Sequence, residues 1–155
     1  GAGGGGSGVN MQRCSFGTDD TDAFHGFGKS QFHPTVAIDD PHSLIVDTGV
    51  LADRKSEVIV PFDGMMIANV QLSGLDGICP FASLRINGIE TFDTVNQPNA
   101  GYSTRVRHYS ITIPVLKDDV VQVWLHNPTT ASRAVYGDSS FNTSLANFLF
   151  IQGMS

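Results

Sequence analysis

The sequence predicts an all-β fold: a two-sheet antiparallel sandwich or jelly roll, preceded by an extended Gly-rich N-terminal arm. Three observations carry that reading. Charged residues are only 15% of the chain and hydrophobic ones 41%, against a usual charged share of about 25%. The sequence holds 17 Gly and 7 Pro, the residues that punctuate short strands. Between these breaks the β-branched runs alternate apolar with polar side chains, the period of a half-buried strand. No internal repeat and no helix-period stretch of convincing length interrupts the pattern. A chain of 155 residues is one domain by default and can bury a core without staples.

Gly1–Gly8, GAGGGGSG, is a low-complexity segment of the flexible-linker type. It lacks the Gly-X-Y period of collagen and the Lys and Ser/Thr of a phosphate loop. Val9–Phe32 is polar and aromatic without a stable period. It reads as an extended arm with Phe16, Phe24 and Phe27 as anchors, which sets a division into an arm, 1–32, and a β domain, 33–155. From Ser43 the pattern becomes regular. Ser43–Thr48 and Glu57–Pro61 are short strands around a charged tip, Asp53-Arg54-Lys55, and Phe62-Asp63-Gly64 is a turn. Met65–Ser73 places Met66, Ala68, Val70 and Leu72 on one face. Ala82–Ile86 and Ile89–Phe92 flank Asn87-Gly88, a strong two-residue hairpin turn. Asp93–Gly101 is a polar loop.

The clearest signal is Ser103–Leu125. Ile111, Ile113 and Val115 share one face of a first run, and Val121, Val123 and Leu125 share one face of a second. With Leu116-Lys117-Asp118-Asp119 between them, they read as a β-hairpin with one buried face. Asn127–Ala131 is a loop, Ala134–Tyr136 a short strand and Gly137–Thr143 a polar turn. Leu145–Ile151 closes the β pattern as an apolar strand expected to be buried on both faces. Roughly eight to ten strands joined by loops of ordinary length suit a sandwich or jelly roll.

Composition narrows the function. A net charge of −6 lacks the footprint of a nucleic-acid or anionic-membrane binder, and Arg105, Arg107 and His108 read as a solvated strand face. No apolar run is long enough for a membrane helix, so no membrane insertion is expected. The sequence shows no secretory signal, and the missing initiator Met suggests processing, a tag or excision from a longer chain. Cys14 and Cys79 match no zinc spacing. They read as free buried thiols, and a disulfide between them stays open. Asp19, Asp20 and Asp22 break the spacing of a calcium loop and read as a turn, as does Asp39-Asp40-Pro41-His42. Histidines 25, 33, 42, 108 and 126 are scattered; His108 and His126 could approach each other across the hairpin. No G-x-S-x-G elbow or Cys–His pairing is evident. Glu57 and Glu90 are the only glutamates, and no carboxylate pair is singled out for glycoside hydrolysis. No catalytic residue, cofactor or metal is therefore expected.

Four segments in order resemble the globular heads of the complement and tumour necrosis factor superfamily, a pattern that recurs in trimeric knobs of bacteriophage fibres and in spore-surface proteins. Val60–Ile67 is similar to the family's "aP-x-x-G-x-Y-x-F" strand, and Ala82–Gly88 to its "v-x-L-x-x-N-G" strand and turn. Ile113–Val123 is similar to its "L-x-x-G-D-x-V-x-V" hairpin, and Ser144–Ile151 to its closing "F-S-G-F-L-I" strand. Asp118 stands where the family has Gly, and Ala146-Asn147 where it has Ser or Gly. The resemblance starts near Val58 and implies a jelly roll assembled as a homotrimer, a binding module and not an enzyme. With the Gly-rich arm it points to a virion-surface knob of a phage tail fibre or spike, binding a host-cell surface glycan or protein. Loops would supply the contacts: Asn96 and Tyr102 on one, and Asn127, Arg133 and Tyr136 on the other. Their rings and amides can stack on and hydrogen-bond a sugar. The rivals are a capsid decoration protein whose arm lies along capsid subunits, and a carbohydrate-active enzyme.

Overall fold

A computed structural model describes residues 9–18, 23–74, 79–93, 106–135 and 144–153. The Gly-rich segment Gly1–Gly8, the acidic turn at Asp19, Asp20 and Asp22, and Arg105 lie outside the described residues. The described elements are strands, apart from one 3-10 turn at Leu51–Asp53. They are β1 Met11–Thr18, β2 Ala23–His25, β3 Gly28–Gln31, β4 Thr35–Asp39, β5 Ile45–Thr48, β6 Lys55–Ile59 and β7 Gly64–Ser73. The chain continues as β8 Phe81–Ile86, β9 Ile89–Asp93, β10 Val106–Val115, β11 Val120–Asn127, β12 Arg133–Val135 and β13 Leu145–Gln152. A five-stranded antiparallel sheet runs β10-β7-β13-β1-β4. A six-stranded one runs β5-β6-β11-β8-β9, with β3 beside β11, and β12-β2 forms a separate ribbon. From β6 to β7, β7 to β8, β9 to β10 and β10 to β11 the chain crosses between the two sheets. This is the jelly-roll path, in which each strand turns one face to a shared core.

The alternation expected from the sequence fills that core. Met66, Ala68, Val70 and Leu72 of β7 are buried with Val121, Val123 and Leu125 of β11 and Ala146, Phe148 and Phe150 of β13. Phe16 and Phe148 stack with ring centroids 5.7 Å apart, a contact that adds to their area term. The Asn87-Gly88 turn forms as expected, both residues at positive φ (54° and 80°). The turn after β4 forms too: the Asp40 carboxylate accepts the N–H groups of Leu44 and Ile45. Cys14 and Cys79 are free and buried. Desolvation pushes both thiols up to about 12.

Four expectations change. The predicted hairpin is not one: β10 pairs with β7, and β11 with β3, β6 and β8, so the two runs lie in different sheets. Their charged corner is an arch, tied to the segment ahead of β7. Val60 donates its N–H to the Asp119 carbonyl, Asp118 N–H donates to the Val60 carbonyl, and Lys117 N–H donates to Asp63 Oδ1 at 2.8 Å. Asp118 sits at φ 71°, a left-handed conformation that glycine adopts at less cost.

The second change concerns residues 1–32. Met11–Thr18 is not an irregular arm but a strand between β13 and β4, and β2 and β3 pair with β12 and β11. Cys14, Ser15, Phe16, Gly17 and Thr18 are all buried, which erases the period-two signal of β1. Phe16 is the expected anchor, whereas Phe24 and Phe27 are 61% and 71% exposed. The third change is β13, which buries Ala146, Phe148 and Phe150 but leaves Asn147 exposed and Leu149 and Ile151 half-buried on its other face. The fourth is Arg107, which is buried rather than solvated. Its Nε donates to the Cys79 carbonyl at 3.0 Å and its guanidinium lies over the Phe81 ring, so a ring face and a carbonyl compensate the desolvated charge.

Candidate functional site

The loops chosen from the sequence are only partly described. Asn96, Tyr102 and Tyr136 lie outside the described residues. Asn127, at the end of β11, is 1% exposed. Its amide donates to the His25 carbonyl at 3.1 Å and the Ala131 carbonyl at 2.8 Å, and its Oδ1 accepts from the Thr129 N–H and hydroxyl. Those bonds close the loop before β12, so this amide holds the scaffold and is not presented to a ligand. Arg133, at the start of β12, is partly exposed and donates Nε to Thr129 Oγ1 at 3.0 Å.

Beside this loop, β12 pairs with β2 in the register Arg133↔His25. The His25 side chain is buried. Its Nδ1 lies 2.6 Å from Ser30 Oγ, and its ring meets His33 edge-on at 4.7 Å. Burial, and then the neighbouring His33, lower its pKa to about 3, so the imidazole is neutral. His108 and His126 sit on strands of different sheets and do not form a pair across a hairpin. Among the described residues no three His, Cys, Asp or Glu converge on one point.

The two outer faces of the sandwich differ in chemistry. Facing residues of an antiparallel pair point to the same side, so the registers read across the five-stranded sheet directly. One row is Pro114–Met65–Ile151–Met11, the next Thr112–Ile67–Leu149–Arg13, and the third Ser110–Asn69–Asn147–Ser15. The first row is therefore apolar throughout and the second apolar at its centre, on a face that the other sheet does not cover; Met11 and Met65 are 54% and 38% exposed. Beside them Arg13 pairs with Asp39 at 2.9 Å.

The outer face of the six-stranded sheet carries bonded polar rows around Trp124, with Val46, Ile59 and Val120 toward one side. One row is Glu90–Arg85–Gln122–Glu57, and the next Ser83–Trp124–Gln31. Trp124 Nε1 donates to Gln122 Oε1 at 2.9 Å, and Gln122 Nε2 donates to Glu57. The Arg85 guanidinium lies 3.6 Å from the centre of the Trp124 ring. At the rim Lys29 Nζ donates to Glu90 Oε1 at 2.7 Å. Nothing in the local sequence marks Trp124 as a site residue. The one available signal is parity: Gln122 and Trp124 alternate with the buried Val121, Val123 and Leu125.

No protein-family model and no curated protein matches this chain. Solved structures do. Murine APRIL superposes with a TM-score of 0.57 at 8% identity, over 91% of this chain and 99% of that one. Eiger TNF from S. frugiperda gives 0.57 at 11% identity, over 94% and 95%. The fold is a TNF-like jelly roll. At these identities the likeness carries the fold alone. It runs over nearly the whole chain, whereas the sequence resemblance starts only at Val58: the strands before it keep the topology without the motifs.

Proposed function

We propose that this chain is a non-enzymatic attachment module: a homotrimeric virion-surface knob of a phage tail fibre or spike, assembled in the host cytoplasm, that binds a cell-surface glycan. One observation carries the assembly half of this reading. Met11, Met65, Ile67, Pro114, Leu149 and Ile151 form a contiguous apolar patch on the outer face of the five-stranded sheet, while the opposite outer face carries charged and amide rows around Trp124. Uncovered apolar rows rimmed by polar residues mark an interface between chains. The phage assignment is supported by the sequence resemblance to fibre knobs. The capsid-decoration rival needs a 32-residue arm, and strands β1, β2 and β3 take much of that length into paired strands.

Sedimentation velocity at micromolar concentration tests the assembly. The expected species has about three times the 16.6 kDa of one chain, and Leu149→Asp converts it to monomer, because an unpaired carboxylate cannot be buried cheaply. A monomeric wild-type protein would refute the trimer. Labelling intact particles with an antibody to the chain tests the location: signal at fibre tips is expected, and signal spread over the shell would favour decoration. Incubation with bacterial polysaccharide should give binding without released product.

A further inference from the structure

We infer that the glycan site is the Trp124 platform on the outer face of the six-stranded sheet, with a neutral saccharide as its ligand. The inference rests on the glycan-binding reading and moves the contact from the loops to a sheet face. Gln31 Nε2, Ser83 Oγ and Arg85 Nε are each buried without a hydrogen-bond partner. All three share a face with Trp124: Gln31 and Ser83 are its direct cross-strand neighbours, and Arg85 stacks on its ring. Buried polar groups are normally paired, so three unmet groups around one indole describe a surface that is one partner short.

The chemistry of that partner follows from the groups. Gln31 Nε2 is a donor that needs an acceptor, the Ser83 hydroxyl can do either, and Arg85 Nε is a donor that Glu90 meets once the guanidinium leaves the ring. A partner rich in hydroxyls supplies both. The indole offers a flat apolar face, held at a fixed tilt by the bond from Nε1 to Gln122. A pyranose has the matching C–H face and equatorial hydroxyls at its edge. It replaces the Arg85 guanidinium on the ring, and Arg85 turns toward Glu90, its cross-strand neighbour. Around Trp124 two cations, Lys29 and Arg85, face two carboxylates, Glu90 and Glu57; Lys29 is bonded to Glu90, and Glu57 accepts from the neutral Gln122. Among the described residues it therefore presents no cation cluster to a phosphate or an acidic sugar, which sets the ligand as a neutral one.

Trp124 is the chain's single tryptophan, so its emission reports this site. The intact protein is titrated with hexasaccharides of β-1,3-, β-1,4- and α-1,4-glucan, chitin, α-mannan and β-galactan, following fluorescence and, independently, calorimetry. One class should shift Trp124 emission saturably. By calorimetry, Trp124→Ala and Gln31→Leu should each weaken that ligand at least tenfold. If Trp124→Ala does not fold, Gln31→Leu and Ser83→Ala carry the comparison, with circular dichroism as the control. A glycan that binds with unchanged emission and unchanged affinity in these variants overturns the placement and leaves the glycan reading standing. Absence of binding across the panel overturns both.

Discussion

Acid should destabilise this protein measurably through one buried imidazole. His25 is 1% exposed, and burial holds its folded-state pKa at about 3, below the ordinary value of 6.5. The sign follows from linkage: a depressed histidine means that the unfolded state takes up the proton first as pH falls. The contribution is intact above about pH 6.5 and is lost progressively down to about 3, with a limiting slope of about 1.4 kcal/mol per pH unit. By pH 4.5 the loss amounts to about 3 kcal/mol, a large share of the roughly 5–15 kcal/mol that holds a domain folded. Other groups titrate in the same window, so the test is a difference. Urea unfolding of wild type and His25→Gln is compared from pH 7.5 to 4.5 at fixed protein concentration, since assembly would shift both curves. At pH 7.5 the variant should be the less stable, because it loses ring packing against Phe32 and His33. That gap should close by about 3 kcal/mol at pH 4.5. Parallel curves would refute the assignment, and with it the claim that His25 stays neutral inside the fold.

Three further outcomes are expected. Cys14 and Cys79, both pushed up to about 12, should resist iodoacetamide at pH 8 in the native protein and label fully in urea, as mass spectrometry would show. Asp118→Gly should raise stability by a few tenths to about 1 kcal/mol, since Gly relieves the cost of φ 71° at the arch; a loss in the urea midpoint would contradict this. Gly64→Ala should destabilise strongly, because an added Cβ would meet the Ile151 carbonyl oxygen at 2.0 Å and the Gly153 nitrogen at 2.7 Å. Both are backbone atoms at the closing strand, so the expected cost is about 3 kcal/mol or more, or failure to express as soluble protein.

The β class and the inward faces of β7, β10 and β11 are legible in the chain without any coordinates. Period-two alternation is a local property: Met66, Ala68, Val70 and Leu72 must share a side of any strand that contains them. The Asn87-Gly88 turn is equally legible, because only a few residue pairs accept positive φ twice in succession. Pairing is a different matter. Nothing between Val115 and Val120 says whether the chain folds back into a hairpin or crosses to another sheet. Contacts made at a distance decide it, through the bonds of Lys117, Asp118 and Asp119 to Val60 and Asp63. Burial of consecutive residues in β1 removes the alternation that would have marked it as a strand. The candidate site lies beyond local reading for the same reason. Trp124, Gln31, Ser83 and Arg85 come from three strands scattered along the chain, and only the sheet registers set them side by side.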